Sequence, residues 1–146
     1  MKRRLVGDFW PYEAASLVHE EADVLDIIKH FAENPCLHHV CVVDKEERLL
    51  GLINRKRIFK SVFSHFVGTE APVSSLFTLL TARKSEQLMV THIISSTEDA
   101  TIDSAVKLLI EHNIREIPVI NEDQRVLGFI TISMILQEWV KSQSPE

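Results

Sequence analysis

The chain has 146 residues, of which 45% are hydrophobic and 25% charged, a balance that suits one globular domain with a substantial core and excludes a disordered class. Net charge is -5, and the basic residues are scattered apart from the runs Lys2-Arg3-Arg4 and Arg55-Lys56-Arg57, so no broad phosphate-tracking surface is indicated and nucleic acid is not an expected partner. The longest apolar stretch, 126–135, is broken by Gly128, Thr131 and Ser133 and falls far short of the ~20 residues that a membrane span needs.

The amino-terminal basic residues are followed by Asp8 and Glu13 in place of an apolar leader core. Cys36 and Cys41 are too few for a multi-bridge scaffold. A cytoplasmic location with both cysteines as thiols is therefore expected.

In chain order, a short strand is predicted at 15–18. A helix follows, in which Val24, Leu25, Ile27, Ile28 and Phe31 gather on one face, with Asp23 placed to cap its start. After Asn34-Pro35, the pattern Val42-Val43-Asp44 to Leu49-Leu50-Gly51-Leu52-Ile53 reads as two apolar strands joined by a polar turn, a hairpin signature. A second helix is predicted over 55–66. The link 67–87 contains Gly68 and Pro72, then Leu76, Phe77, Leu79 and Leu80, which predicts a turn and a small helix lying against the core, since the segment is too apolar for a free tether.

The same order then returns. A strand is predicted at 92–95, and a helix with Ile102, Ala105, Val106, Leu108 and Leu109 on one face starts after Thr101 as its cap. The hairpin Val119-Ile120-Asn121 to Val126-Leu127-Gly128-Phe129-Ile130 repeats the first one 77 residues on (Val43 to Ile120), and a last helix is predicted over 133–140. The helices are offset by 78 (Val24 to Ile102), so the first copy has one additional residue between helix and hairpin, near Asn34-Pro35, where a loop tolerates it. Two half-domains of this size cannot bury their apolar faces alone and should pack on each other.

At this point the residues resemble a family. Leu88-Met89-Val90, the loop Ser96-Thr97-Glu98-Asp99-Ala100-Thr101, the amphipathic helix, Ile114-Arg115-Glu116-Ile117-Pro118-Val119-Ile120 and the closing Val126-Leu127-Gly128-Phe129-Ile130-Thr131 are similar in order and spacing to a cystathionine-beta-synthase-type (CBS) domain. The first half matches more loosely, with Cys41 in the place of Pro118 and Asn54 in that of Thr131. The resemblance implies an α+β fold of tandem CBS repeats, the pair called a Bateman module. Each repeat would have a small three-stranded sheet and two flanking helices, and the two would be related by a pseudo-twofold axis. By chain order the first repeat, with an N-terminal extension, is expected over 1–67, and the linker helix with the second repeat over 68–146.

The resemblance further implies a regulatory module, not an enzyme, that dimerises and binds AMP, ADP, ATP, S-adenosylmethionine or a related adenine ligand in inter-repeat clefts, with no required cofactor. The chain is expected to be all module, so that its output passes through a separate effector protein. Residues carried over as ligand-binding are Ile94, Thr97, Arg115, Glu116, Ile117, Pro118, Thr131, Ser133 and Met134 in the second repeat, and His38, His39, Asn54 and Arg57 in the first.

In the family, a Thr or Ser after the hairpin glycine contacts phosphate or ribose, and an Asp three residues later takes both ribose hydroxyls. Here Thr131 and Ser133 are present, but Met134 stands at the carboxylate position. In the first repeat Asn54 replaces the Thr and Arg57 the Asp. Loss of one charge-assisted contact costs about 1.5–3 kcal/mol, one to two decades of affinity. The other reading is therefore a ligand-free dimerisation and partner-docking module with degenerate clefts. Arg55, Lys56 and Arg57 near a helix start could instead hold a polyphosphate or another anion, against which stands the plain alternative of a solvated helix face. Ile94, Ile117 and Val119 offer apolar walls for a purine, but the same residues are needed as plain core, which is expected to be their main duty.

The run Cys36-Leu37-His38-His39-Val40-Cys41 invites a zinc or thiol reading. On a strand, alternation sends Cys36 and His38 to one face and His39 and Cys41 to the other, below the number of converging ligands that a structural site needs. No orienting acid or oxyanion-forming loop accompanies Cys41, so neither metal nor catalysis is expected.

Overall fold

The computed structural model describes residues 4–63 and 89–143, so the predicted linker helix lies outside the described residues. Two compact units result. One is built from Ser16–Ile93, the other from Met1–Ala15 together with Ile94–Glu146.

In the first of these, β1 (Ser16–His19) leads into α1 (Val24–Glu33), then β2 (His39–Val43), β3 (Leu49–Asn54) and α2 (Arg55–Phe63). The sheet order is β1-β2-β3, with β1 parallel to β2 and β2 antiparallel to β3. Val24, Ile27 and Phe31 are the buried residues of α1, at the three- and four-residue steps of one helical face, and they meet Val18, Val40, Val42, Ile53, Ile58 and Val62 in a single core. Asp23 holds the N-cap position without a side-chain hydrogen bond into the helix.

The other unit repeats the plan with β4 (Ser96–Thr97), α3 (Ile102–Glu111), β5 (Glu116–Ile120), β6 (Val126–Thr131) and α4 (Ile132–Gln143). Its core joins Ile102, Ala105, Leu109, Ile117, Val119 and Ile130 with Val6 and Tyr12 from the amino-terminal segment. Thr101 caps α3 by accepting the Ser104 N–H at 3.2 Å. The strand expected at 92–95 forms only at Ser96–Thr97, because the parallel register aligns Ser96 with Val119, while Ile94 packs on the core from outside the strand.

The central strands β2 and β5 are buried on both faces. Val40 and Val42, like Ile117 and Val119, point into the cores, while Cys41 and Pro118 are also fully covered. The hairpin turns are duplicates. The Asp44 side chain accepts the N–H groups of Glu46 and Arg48, both at 2.9 Å, and the Asn121 side chain accepts those of Asp123 and Arg125, at 2.9 and 3.0 Å. Glu47 and Gln124 occupy the left-handed region at φ 64° and 65°.

Each hairpin also carries a short lead-in on its second strand. In one unit Leu52 and Val90 exchange backbone hydrogen bonds of 3.0 and 2.8 Å; in the other, Glu13 and Phe129 exchange bonds of 3.0 and 2.8 Å. The 77-residue spacing holds for these pairs too, since Glu13 corresponds to Val90 and Leu52 to Phe129. Thus the segment before the first repeat packs on the second repeat's hairpin, and the segment before the second packs on the first repeat's hairpin. By chain order residues 4–15 precede the first repeat; in space they fold with residues 94–143.

Glycine is required where the lead-ins cross. A Cβ on Gly128 would stand 2.6 Å from the Tyr12 Cβ and 2.8 Å from the Glu13 carbonyl oxygen, and its φ of +149° is one that side-chain-bearing residues rarely adopt. A Cβ on Gly51 would meet Met89, at 2.7 Å from Sδ and 2.9 Å from Cβ.

Candidate functional site

Each hairpin ends by running straight into a helix, and the junction is built the same way twice. In the second repeat Glu116 pairs with Thr131, the Ile132 N–H donates to the Arg115 carbonyl at 3.0 Å, and the Thr131 hydroxyl accepts the Met134 N–H at 3.1 Å. In the first repeat His39 pairs with Asn54, the Arg55 N–H donates to the His38 carbonyl at 3.1 Å, and the Asn54 side-chain oxygen accepts the Arg57 N–H at 2.6 Å. Thr131 and Asn54 are therefore helix caps, each satisfying one of the orphan N–H groups of the first turn.

This geometry gathers most of the residues singled out from sequence. Arg115, Glu116, Thr131, Ser133 and Met134 meet at one end of the second sheet. Ile94 lies two residues before β4 and packs, half-buried, on the core of the same unit. His38, His39, Asn54 and Arg57 gather likewise in the first repeat. Thr97 does not join them. It pairs with Ile120, four residues and so about 13 Å along the strand from Glu116, and its hydroxyl donates to Asp99 at 2.6 Å.

The apolar members serve as core. Ile117 and Val119 are 0% exposed, Pro118 is fully buried, and Ile94 and Met134 pack against the same cluster. The polar members are open to solvent: Arg115, Ser133, Asn54 and Arg57 are exposed, while Glu116, Thr131, His38 and His39 are half-buried. At the position three residues after each cap, Arg57 carries a cation and Met134 an uncharged thioether.

Around Arg57 the first repeat forms a groove of about 390 Å³ lined by Asn54, Lys56, Arg57, Lys60, Ser61 and Val90. Sequence reasoning singled out Asn54, Lys56 and Arg57 but missed Lys60, Ser61 and Val90. The spacing of Lys56 and Lys60, one helical turn apart, was the available signal for Lys60. For Val90 there was none, because its place at the groove follows from the lead-in bridge to Leu52.

Cys36 is exposed and Cys41 buried, so the two thiols of the Cys36 to Cys41 run do not share an environment. Among the described residues no group of three or more His, Cys, Asp or Glu side chains is placed to hold a metal ion. No helix among them is long and apolar enough to cross a membrane.

The CBS domain family model matches residues 11–64 and 85–141. An uncharacterised protein of Methanocaldococcus jannaschii is 26% identical, over 79% of this chain and 80% of its own length. Other curated relatives are longer, and the chain spans between 10% and 44% of them. Among solved structures, CBSX2 in complex with AMP superposes with a TM-score of 0.75 at 17% identity, covering 97% of this chain and 99% of that one. The CBS domain pair of protein MJ0100 in complex with 5′-methylthioadenosine and S-adenosyl-L-methionine gives 0.69 at 21% identity, with coverage of 97% and 99%. At these identities the likeness is one of fold.

Proposed function

Because the chain belongs to the CBS domain family, which it matches twice, we propose that it is a regulatory module, not an enzyme, whose second repeat senses an adenosyl ligand such as AMP, ADP, ATP or S-adenosylmethionine. The observation that carries this reading is the junction at Thr131, where a helix-capping hydroxyl stands beside Arg115, Glu116 and Ser133 at an open strand end. A hydroxyl and an arginine there suit phosphate or ribose oxygens, and Ile94 supplies apolar surface for a base. That solved CBS pairs of the same fold hold AMP or S-adenosylmethionine supports the choice of ligand class. No cofactor enters the scheme. Binding energy is passed to a separate effector protein as a population shift between conformations.

In this proposal the repeats divide by chain order at 1–67 and 68–146, the counterpart site of the first repeat lies at His38, His39, Asn54 and Arg57, and the protein works as a cytoplasmic homodimer. The homodimer is supported by α4, none of whose residues is buried: Leu136, Trp139 and Val140 are 60%, 51% and 58% exposed at three- and four-residue steps.

The test is a thermal-shift panel of AMP, ADP, ATP and S-adenosylmethionine. At least one should raise the midpoint, since a ligand that binds only the native state must stabilise it. Thr131→Ala should diminish the response, and Thr131→Asn, which preserves the cap as Asn54 does, separates loss of the hydroxyl contact from loss of the helix start. No shift with any of the four would refute the sensor reading.

A second reading, a docking module with degenerate clefts, is favoured by Arg57 and Met134 at the two positions where a ribose-binding carboxylate would stand. It expects no ligand response and a partner protein on the module.

A further inference from the structure

The groove at the start of α2 gathers three cations, Lys56, Arg57 and Lys60, with Asn54, Ser61 and Val90, and among the described residues no carboxylate lines it. Among the described residues none of the three cations enters an ion pair, whereas Arg4, Arg48 and Lys107 each do. Like charges within one helical turn repel and weaken the helix that carries them. In a chain of net charge -5 this is a local concentration of unopposed positive charge, held over a concave surface of about 390 Å³.

The rest of the lining says what the groove does not read. Among the described residues Val90 is its one apolar side chain and none of the lining is aromatic, and Arg57 stands at the position where a carboxylate would accept two ribose hydroxyl protons. The Asn54 side-chain oxygen accepts the Arg57 N–H, which fixes the backbone of the first turn, and among the described residues the three long cationic side chains, with the Asn54 amide and the Ser61 hydroxyl, are the groove's donors to an anion.

We propose that this groove is a second site that binds a phosphate chain, of the di- or triphosphate type, through charge and without reading a nucleoside. The proposal rests on the reading of the first repeat's strand end as a ligand site, and it adds that the two repeats take different chemistry: an adenosyl group at Thr131 and a polyanion at Arg57.

Calorimetric titration of the full chain with inorganic tripolyphosphate, orthophosphate, adenosine and ATP tests it. Tripolyphosphate should bind at low salt, more tightly than orthophosphate, and weaken steeply toward about 0.5 M salt, where exposed charges are screened. The triple variant Lys56→Gln, Arg57→Gln, Lys60→Gln should lose roughly tenfold or more in tripolyphosphate affinity, with an unchanged far-ultraviolet circular dichroism spectrum, while Arg57→Lys stays within about threefold.

In a Thr131→Ala background, ATP and tripolyphosphate should bind the groove within about threefold of each other; a preference for ATP of about tenfold or more would overturn the claim that no nucleoside is read. Absence of tripolyphosphate binding, or equal affinity in the triple variant, would overturn the site itself. The two readings fail separately: the triple variant should keep its response to S-adenosylmethionine or AMP at Thr131, and Thr131→Ala should keep its tripolyphosphate binding.

Discussion

Replacing Gly128 by alanine is the sharpest perturbation of this fold, because two costs coincide there. The φ of +149° belongs to a region that only glycine visits freely, which costs about 1–3 kcal/mol for any side chain. The new Cβ would also meet the Tyr12 Cβ at 2.6 Å and the Glu13 carbonyl oxygen at 2.8 Å, and that carbonyl accepts the Phe129 N–H, so pushing it away adds about 1 kcal/mol. The sum is roughly 2–4 kcal/mol, a fall in midpoint of about 6–15 °C for a chain of this length. Gly51→Ala should cost less, about 1–2 kcal/mol, because no left-handed φ is involved and two of the three nearest atoms are the Sδ and Cγ of the flexible Met89 side chain. Urea unfolding followed by tryptophan fluorescence reads the first variant directly, since Trp10 and Trp139 both lie in the unit that contains Gly128. A second-site change separates the causes: Met89→Ala should recover part of the Gly51→Ala loss, whereas Tyr12→Ala should recover none of the Gly128→Ala loss, whose nearest atoms are a Cβ and a backbone oxygen. A Gly128→Ala protein within about 0.5 kcal/mol of the parent, the range of an ordinary surface change, or one rescued by Tyr12→Ala, would refute this reasoning.

Asp44 and Asn121 do the same job in the two hairpins, one with a charge and one without. Hydrogen bonding from the Arg48 backbone, with further help from its guanidinium and from the Glu46 N–H, holds the Asp44 carboxyl below its ordinary 3.8. Its stabilising contribution is therefore present above that value and lost as pH falls through the lower, folded-state value. Asp44→Asn should remove that part of the acid sensitivity while keeping the turn, measured as the slope of unfolding midpoint against pH in the acid range. Burial first, then the hydrogen bond that its hydroxyl donates to Glu98 at 2.7 Å, pushes the Tyr12 phenol well above its ordinary 10.0. That contribution is complete below 10.0 and lost as pH rises above it, so Tyr12→Phe should cost about 0.5–1.5 kcal/mol at neutral pH and flatten the alkaline fall in stability.

At the candidate sites, the junction residues were legible because strand pairing and helix capping follow local rules: a polar residue at the end of an apolar strand, three positions before a helical N–H, is where Thr131 and Asn54 stand. Thr97 entered through the family resemblance, and the parallel register with Ile120 places it toward the other end of the sheet. Ile117 and Val119 were open to two uses by sequence, as ligand wall or core, and their complete burial against α3 follows from packing that a linear pattern does not contain.

The sequence by itself determined the repeat: both hairpins with their Asp44 and Asn121 turns, the buried faces of α1 and α3, and the residues that sit at each strand-to-helix junction. These are short-range matters, governed by side-chain alternation, helical period and hydrogen bonds between near neighbours. Only the tertiary structure decided where the lead-ins go, with Tyr12 and Glu13 over Gly128 and Phe129, and Met89 and Val90 over Gly51 and Leu52. A bridge between single residues has no period of its own to read. Its partner is selected by a glycine's missing side chain more than a hundred positions away in one case and about forty in the other, and that selection exists only once the backbones have been brought together.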